Sequence, residues 1–197
     1  MMRYLSILFI CFSLFMAGCS NSSTDKAGTS EKNSQTVNNL PPQSDLKDAG
    51  TQKLMAVVTD YYELKDAFVV SKANQADVAA NKLVTSTDSL KSYLLNDSSN
   101  KQSIKPYLDT IAAQSRKIIT TADSTCEKKR APFEKISNAM FDMLKKVDLK
   151  NAGVYREHCP MAFNEKGAYW LSSYADIKNP YLGKKMIDCG EVTDSLK

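Results

Sequence analysis

The chain has 197 residues, with 26 Lys and Arg against 22 Asp and Glu, for a formal net charge of +4. So slight an excess, carried by scattered lysines, argues against a nucleic-acid partner. A single histidine, with no glycine-rich phosphate loop and no serine-centred elbow, leaves little from which to build an enzyme, and none is expected.

Arg3 precedes an almost unbroken apolar run from Tyr4 to Phe15. The run is too short to cross a bilayer comfortably and ends in small residues, as a secretory signal does. Met16-Ala17-Gly18-Cys19 reads as a lipobox: small side chains flank the scissile bond, and a thiol carries the diacylglycerol. Residues 1–18 are therefore expected to be a lipoprotein signal peptide, with Cys19 the lipidated residue. The alternative is an ordinary signal peptide with a chance cysteine. Acyl chains bury at roughly 0.8 kcal/mol per methylene, so several of them tether a protein without a transmembrane helix. The expected place is the cell envelope, facing the periplasm. Ser20, where an acidic residue is absent, favours the outer membrane. From residue 19 to 44 the sequence is polar, includes Pro41-Pro42, and is expected to be a flexible tether.

Residues 45–150 carry four stripes at helical spacing. The first is Leu54, Val57, Val58, Tyr61, Leu64 and Phe68, with Tyr61-Tyr62 read as its buried face and Lys65-Asp66 as its solvated one. The second is Ala76, Ala80, Leu83, Thr87, Leu90 and Leu94, with Asn74 as its expected cap. The third is Leu108, Ile111, Ala112, Ser115, Ile118 and Ile119, with Pro106 early enough to be tolerated. The fourth is Phe133, Ile136, Met140, Leu144 and Val147, after a Ser124-to-Glu127 capping box. Pro132 means that this helix either starts near Arg130 or starts near Thr125 and kinks. Short connections, such as those from Val70 to Asn74 and from Asn96 to Ser103, suit antiparallel neighbours. The expected fold class is all-α, an antiparallel four-helix bundle, with Met140 and Met143 as core filler.

Residues 151–197 are of another kind. Glycines, Pro160, Pro180, tyrosines and the only tryptophan replace helical periodicity. Val154 to Arg156 and Ala168 to Leu171 read as short strands in an irregular segment packed on the bundle. Soft donors gather here: His158, Cys159 and Met161 in one cluster, Met186 and Cys189 in another. Thiolate, thioether and imidazole suit Cu(I); zinc would leave the methionines unused. The competing reading is a Cys159–Cys189 disulfide, closing a loop of about 30 residues. Cys126 is the odd thiol, read as a buried apolar residue. A Cys–His nucleophile is disfavoured, because adjacent side chains of an extended segment point to opposite faces.

Several stretches resemble a domain-of-unknown-function family of Bacteroidota envelope lipoproteins, also found appended to Cus-type heavy-metal efflux RND adaptors. They are Tyr61 to Ala67, then Arg130, Phe133 and Ser137, then His158 to Ala162, Lys166 to Ala168, Trp170 to Ser172, Ile177, Asn179 to Tyr181, Gly183, Met186 and Cys189-Gly190. Cys159-Pro160-Met161 is also similar to the Tyr-x-Cys-Pro-Met-His-Pro motif of short heavy-metal-binding domains, with Ala162 and Phe163 standing where that motif has His-Pro. The resemblance implies a link to copper and an RND-type efflux adaptor as partner. It favours the metal reading, with His158, Cys159, Met161, Met186 and Cys189 as ligands, over the disulfide. The expected function is thus a membrane-anchored periplasmic Cu(I)-binding protein of metal efflux or homeostasis. The alternative is a disulfide-stapled interaction module, with Tyr155, Tyr169, Trp170, Tyr174 and Tyr181 as a docking patch.

Overall fold

The computed structural model describes residues 40–95 and 101–196. The expected signal peptide, Cys19 and the expected tether up to residue 39 lie outside the described residues, as does most of the Asn96-to-Ser103 connection. The described chain is mostly helical, with four long helices: α1 (Asp48–Val69), α2 (Ala73–Leu95), α3 (Lys101–Thr120) and α4 (Glu127–Lys146). The C-terminal part holds a small antiparallel sheet of β1 (Val154–Cys159), β2 (Ala168–Ser172) and β3 (Glu191–Leu196), in the order β2-β1-β3. Among the described residues no helix is long and apolar enough to cross a membrane.

Chain entry is fixed by the backbone. Gln43 and Lys150 exchange N–H···O bonds of 3.1 and 2.8 Å, and Asp45 N–H donates to Val147 O at 2.8 Å. Residues 43–45 are thus pinned to the segment that follows α4. The stripe residues of α1 and α2 are all buried, and so are those of α3 except the half-buried Ile119. Two helix starts differ from expectation. Asn74 lies inside α2, whose first turn is closed by Ala76 N–H to Lys72 O. At α4 the N-cap position is Cys126, whose side chain makes no capping bond, and the capping carboxylate is that of Asp123, not a Ser124 hydroxyl: it accepts from Thr125 N, Thr125 Oγ1 and Lys128 N at 2.8, 2.6 and 2.7 Å. A carboxylate reaches further than a serine hydroxyl and meets the positive end of the helix dipole. α4 therefore starts at Glu127, with Pro132 inside it.

Consecutive helices are neighbours, whereas α1 and α4 meet through large side chains. Phe133 is the hub: its ring lies 4.9 Å from Phe68, 5.6 Å from Tyr61 and 5.7 Å from Tyr181. Trp170 extends the cluster, 5.9 Å from Tyr181. Tyr61 ties the layers by hydrogen bonds as well, pairing with Ser137 Oγ at 2.8 Å and accepting from Leu171 N–H at 3.0 Å. β2 consequently packs on α4 and α1. The two expected strands are joined by a third, β3, for which the sequence gives no expectation. Its first four residues are exposed, so an edge strand facing water shows no buried alternation.

Candidate functional site

β1 is the central strand, and its register decides which candidate ligands share a face. Glu157 lies opposite Trp170 and Cys159 opposite Ala168, while Arg156 faces Leu171 and His158 faces Tyr169 across β2. Side chains directly opposite one another share a face, so Cys159 and Glu157 point one way and His158 the other. On the β3 side Arg156 pairs with Asp194 and Glu157 with Val192, leaving Thr193 as an extra residue.

The structure brings Cys159 and Cys189 together as a disulfide, with Cα atoms 5.7 Å apart across 30 residues. Asn179 holds the returning loop in place. Its side chain donates to Cys189 O at 2.8 Å, its Oδ1 accepts from Tyr181 N and Leu182 N, and its own N–H donates to Ile187 O at 2.7 Å. Gly190 then passes so close to β1 that a Cβ would lie 2.8 Å from Trp170 and 2.9 Å from His158 O, at a φ of +145° open mainly to glycine.

Of the other candidate ligands, His158 lies on the face of β1 opposite to Cys159. His158 stacks on Tyr169 at 4.3 Å, and its Nε2 abuts Gly167, where a Cβ would approach to 2.6 Å. On the same face the Arg156 guanidinium is sandwiched between Phe141 and Tyr169, 4.1 and 4.0 Å from their centroids. Met161 and Met186 are 46% and 39% exposed. Met186 closes a turn with Cys189, whose N–H donates to its carbonyl at 3.2 Å. Among the described residues no three or more His, Cys, Asp or Glu side chains are grouped so as to hold a metal ion. Cys126 is a free, fully buried thiol, pushed up in pKa chiefly by burial. The five aromatics do not form one surface patch: Trp170 and Tyr181 are buried, Tyr155 and Tyr169 half-buried, and of the five Tyr174 alone is exposed.

A buried polar cluster is the feature the sequence reading missed. Glu157 is 0% exposed, and neither of its carboxylate oxygens has a hydrogen-bond partner. Burial pushes its pKa up to about 7, against the opposing pull of Lys65 and of Trp170 Nε1. That indole N–H stands near the carboxylate without forming a well-aligned bond. Tyr62 Oη is also buried and unpartnered, and its pKa is raised by burial and by the charge of Glu157. Lys65, expected on a solvated face, is 1% exposed instead. Its Nζ reaches Tyr174 Oη at 2.6 Å and Asp66 Oδ1 at 2.7 Å. Lys65 lies one turn after Tyr61 and so shares its inward face, which the sheet covers. Strand parity could have flagged Glu157, which lies two residues before the inward-facing Cys159.

Residues 57–152 match the model of a family described as a protein of unknown function (DUF3347). The matched span covers most of α1 and all of α2 to α4, and it ends before β1. No curated protein and no solved structure matches the chain.

Proposed function

We propose that this is a cell-envelope protein, held to a membrane by lipid on Cys19, whose folded part is a rigid protein-interaction module. The observation that carries this reading is the Cys159–Cys189 disulfide, which joins the central strand to the last loop. In that state the two sulfurs are bonded to each other, and His158 faces away, so the donor set does not suit a metal ion. The helices are read as an antiparallel bundle closed by Phe133, with the stapled sheet as a stiff platform upon it. Resemblance to lipoproteins and adaptor-linked domains of Bacteroidota supports an RND-type heavy-metal efflux adaptor as the partner. The test has two arms. Intact-mass measurement of the exported protein after alkylation without reductant should show Cys159 and Cys189 unlabelled, and the oxidised protein should bind a purified efflux adaptor saturably. Labelled thiols, or no adaptor binding in either redox state, would remove the proposal.

A second reading is Cu(I) capture by the reduced protein. Its support is that reduction would free two thiols on backbones 5.7 Å apart, with the partly exposed Met186 at the other end of the Cys189 turn. Thiolate and thioether donors suit Cu(I). On this reading Cys159, Cys189 and Met186 are ligands, joined by Met161, while His158 would have to leave Tyr169. Zinc would use the thiolates but not the methionines. Stoichiometric Cu(I) binding by reduced protein, lost in Cys159→Ser with Met186→Leu, is the expected result. Equal binding by that double variant would dismiss it.

A further inference from the structure

Arg130 is a buried cation whose partners are all neutral. It is 8% exposed. Its Nε donates to Pro180 O at 2.9 Å, its Nη2 to Ser71 Oγ at 2.9 Å, and its Nη1 to Thr125 O at 3.4 Å. None of the ion pairs among the described residues includes it. A guanidinium has five N–H groups, so these bonds leave two to spare. A buried charge without a counter-charge is costly. Burial accordingly pulls the Arg130 pKa below its ordinary value, although Cys126, Glu127 and Asp123 act in the opposite direction.

Arg130 opens on a pocket of about 500 Å³ with Phe163 and Tyr181 in its wall. Lys184 and Lys185 also line it, and neither belongs to an ion pair among the described residues. Glu127 is the one acid of the lining, so three cations face one carboxylate. The lysines are held there by construction. They follow Gly183 in a short 3-10 turn (Gly183–Lys185), and Gly183 sits at φ +54° with room for no side chain. A Cβ there would lie 2.7 Å from Ser71 Oγ and 3.4 Å from Arg130 Nη2. The turn that carries the lysines is thus pressed against the guanidinium. Asp123, the other nearby acid, is already engaged by the start of α4.

We propose that this pocket binds a small organic anion, with a phosphate-monoester or carboxylate head at Arg130, Lys184 and Lys185 and an apolar body against Phe163 and Tyr181. A planar fork of N–H donors recognises such heads in pairs of parallel bonds, which an ammonium cannot do. Partial enclosure by aromatic walls strengthens the attraction beyond its value in open water. The site is separate from the Cys159–Cys189 pair and stands whether or not the interaction reading does.

The test is calorimetric titration of the full chain at low salt with phenyl phosphate, benzoate, inorganic phosphate and the neutral benzyl alcohol. Saturable binding of phenyl phosphate or benzoate, weakened by added salt and absent for benzyl alcohol, is expected. Whichever of the two binds more tightly names the head group. Lys184→Gln with Lys185→Gln, both exposed, should weaken binding by about tenfold or more while leaving the circular dichroism unchanged. Arg130→Lys should weaken it further, since the charge remains and the fork is lost. Inorganic phosphate binding as tightly as phenyl phosphate would overturn the apolar subsite. No saturable anion binding, or binding undiminished in the double lysine variant, would overturn the site.

Discussion

Glu157→Gln is expected to change the pH dependence of stability in a direction opposite to that of most carboxylates. A paired carboxylate is more acidic in the folded state and stabilises it at neutral pH. Glu157 has no partner on either oxygen, and burial raises its pKa from 4.5 to about 7. The folded chain therefore holds this proton more tightly than the unfolded chain does. The contribution of the neutral acid is fully present below about pH 4.5 and is lost as pH rises through about 7. A shift of this size corresponds to about 3 kcal/mol, at 1.36 kcal/mol per unit. Glutamine keeps the shape and stays neutral. Urea unfolding of disulfide-intact protein, between about pH 5 and 8.5, measures the effect as the difference between wild type and variant, which cancels groups titrating alike in both. Near pH 5 the two should be close; by pH 8.5 the variant should be ahead by up to about 3 kcal/mol. Parallel curves, or a wild type that gains on the variant with rising pH, would refute the assignment of an unpaired buried carboxylate.

Three further perturbations test the framework. Cys159→Ser with Cys189→Ser should lower unfolding stability by about 3.5 kcal/mol, the chain-entropy value for a loop of about 30 residues, read from urea midpoints. The native chain should in turn be lighter by two hydrogens than its reduced form, with Cys126 reacting with alkylating reagents only after unfolding. Tyr61→Phe takes the acceptor from the Leu171 N–H and leaves Ser137 only its bond to Phe133 O, and should cost about 1–3 kcal/mol in chemical unfolding. An unchanged midpoint would mean that this tie between helices and sheet is not made. Asp123→Ala removes three acceptor contacts at the start of α4 and should cost about 1 kcal/mol. Asp123→Asn should recover part of it, and equal losses in both variants would assign the effect to charge rather than to capping.

The helices were legible because their periodicity is a local property. Leu54, Val57, Val58, Tyr61, Leu64 and Phe68 recur at the helical repeat, and each is buried. The same rule marks Lys65 as inward, since it follows Tyr61 by one turn; reading it by charge alone placed it in solvent. Capping was not legible: the expected Ser124 box is passed over for Asp123, whose carboxylate reaches Lys128 N five residues on. The strands β1 and β2 show in tyrosines and the tryptophan, while β3, although it holds Val192 and Thr193, is an exposed edge without buried alternation.

The amino-acid pattern by itself determined a polar lead-in, four amphipathic helices and a compositionally distinct tail rich in sulfur. Tertiary structure alone decided which of those groups meet. Strand register puts Cys159 and Glu157 on one face and His158 on the other, a loop pinned by Asn179 returns Cys189 to Cys159, and Phe133 gathers aromatics from α1 and the last loop, where Tyr181 meets Trp170 of β2. Periodicity along a chain reports which side of an element is dry. It carries no information on which dry sides are placed together, because that depends on pairings between residues far apart in sequence.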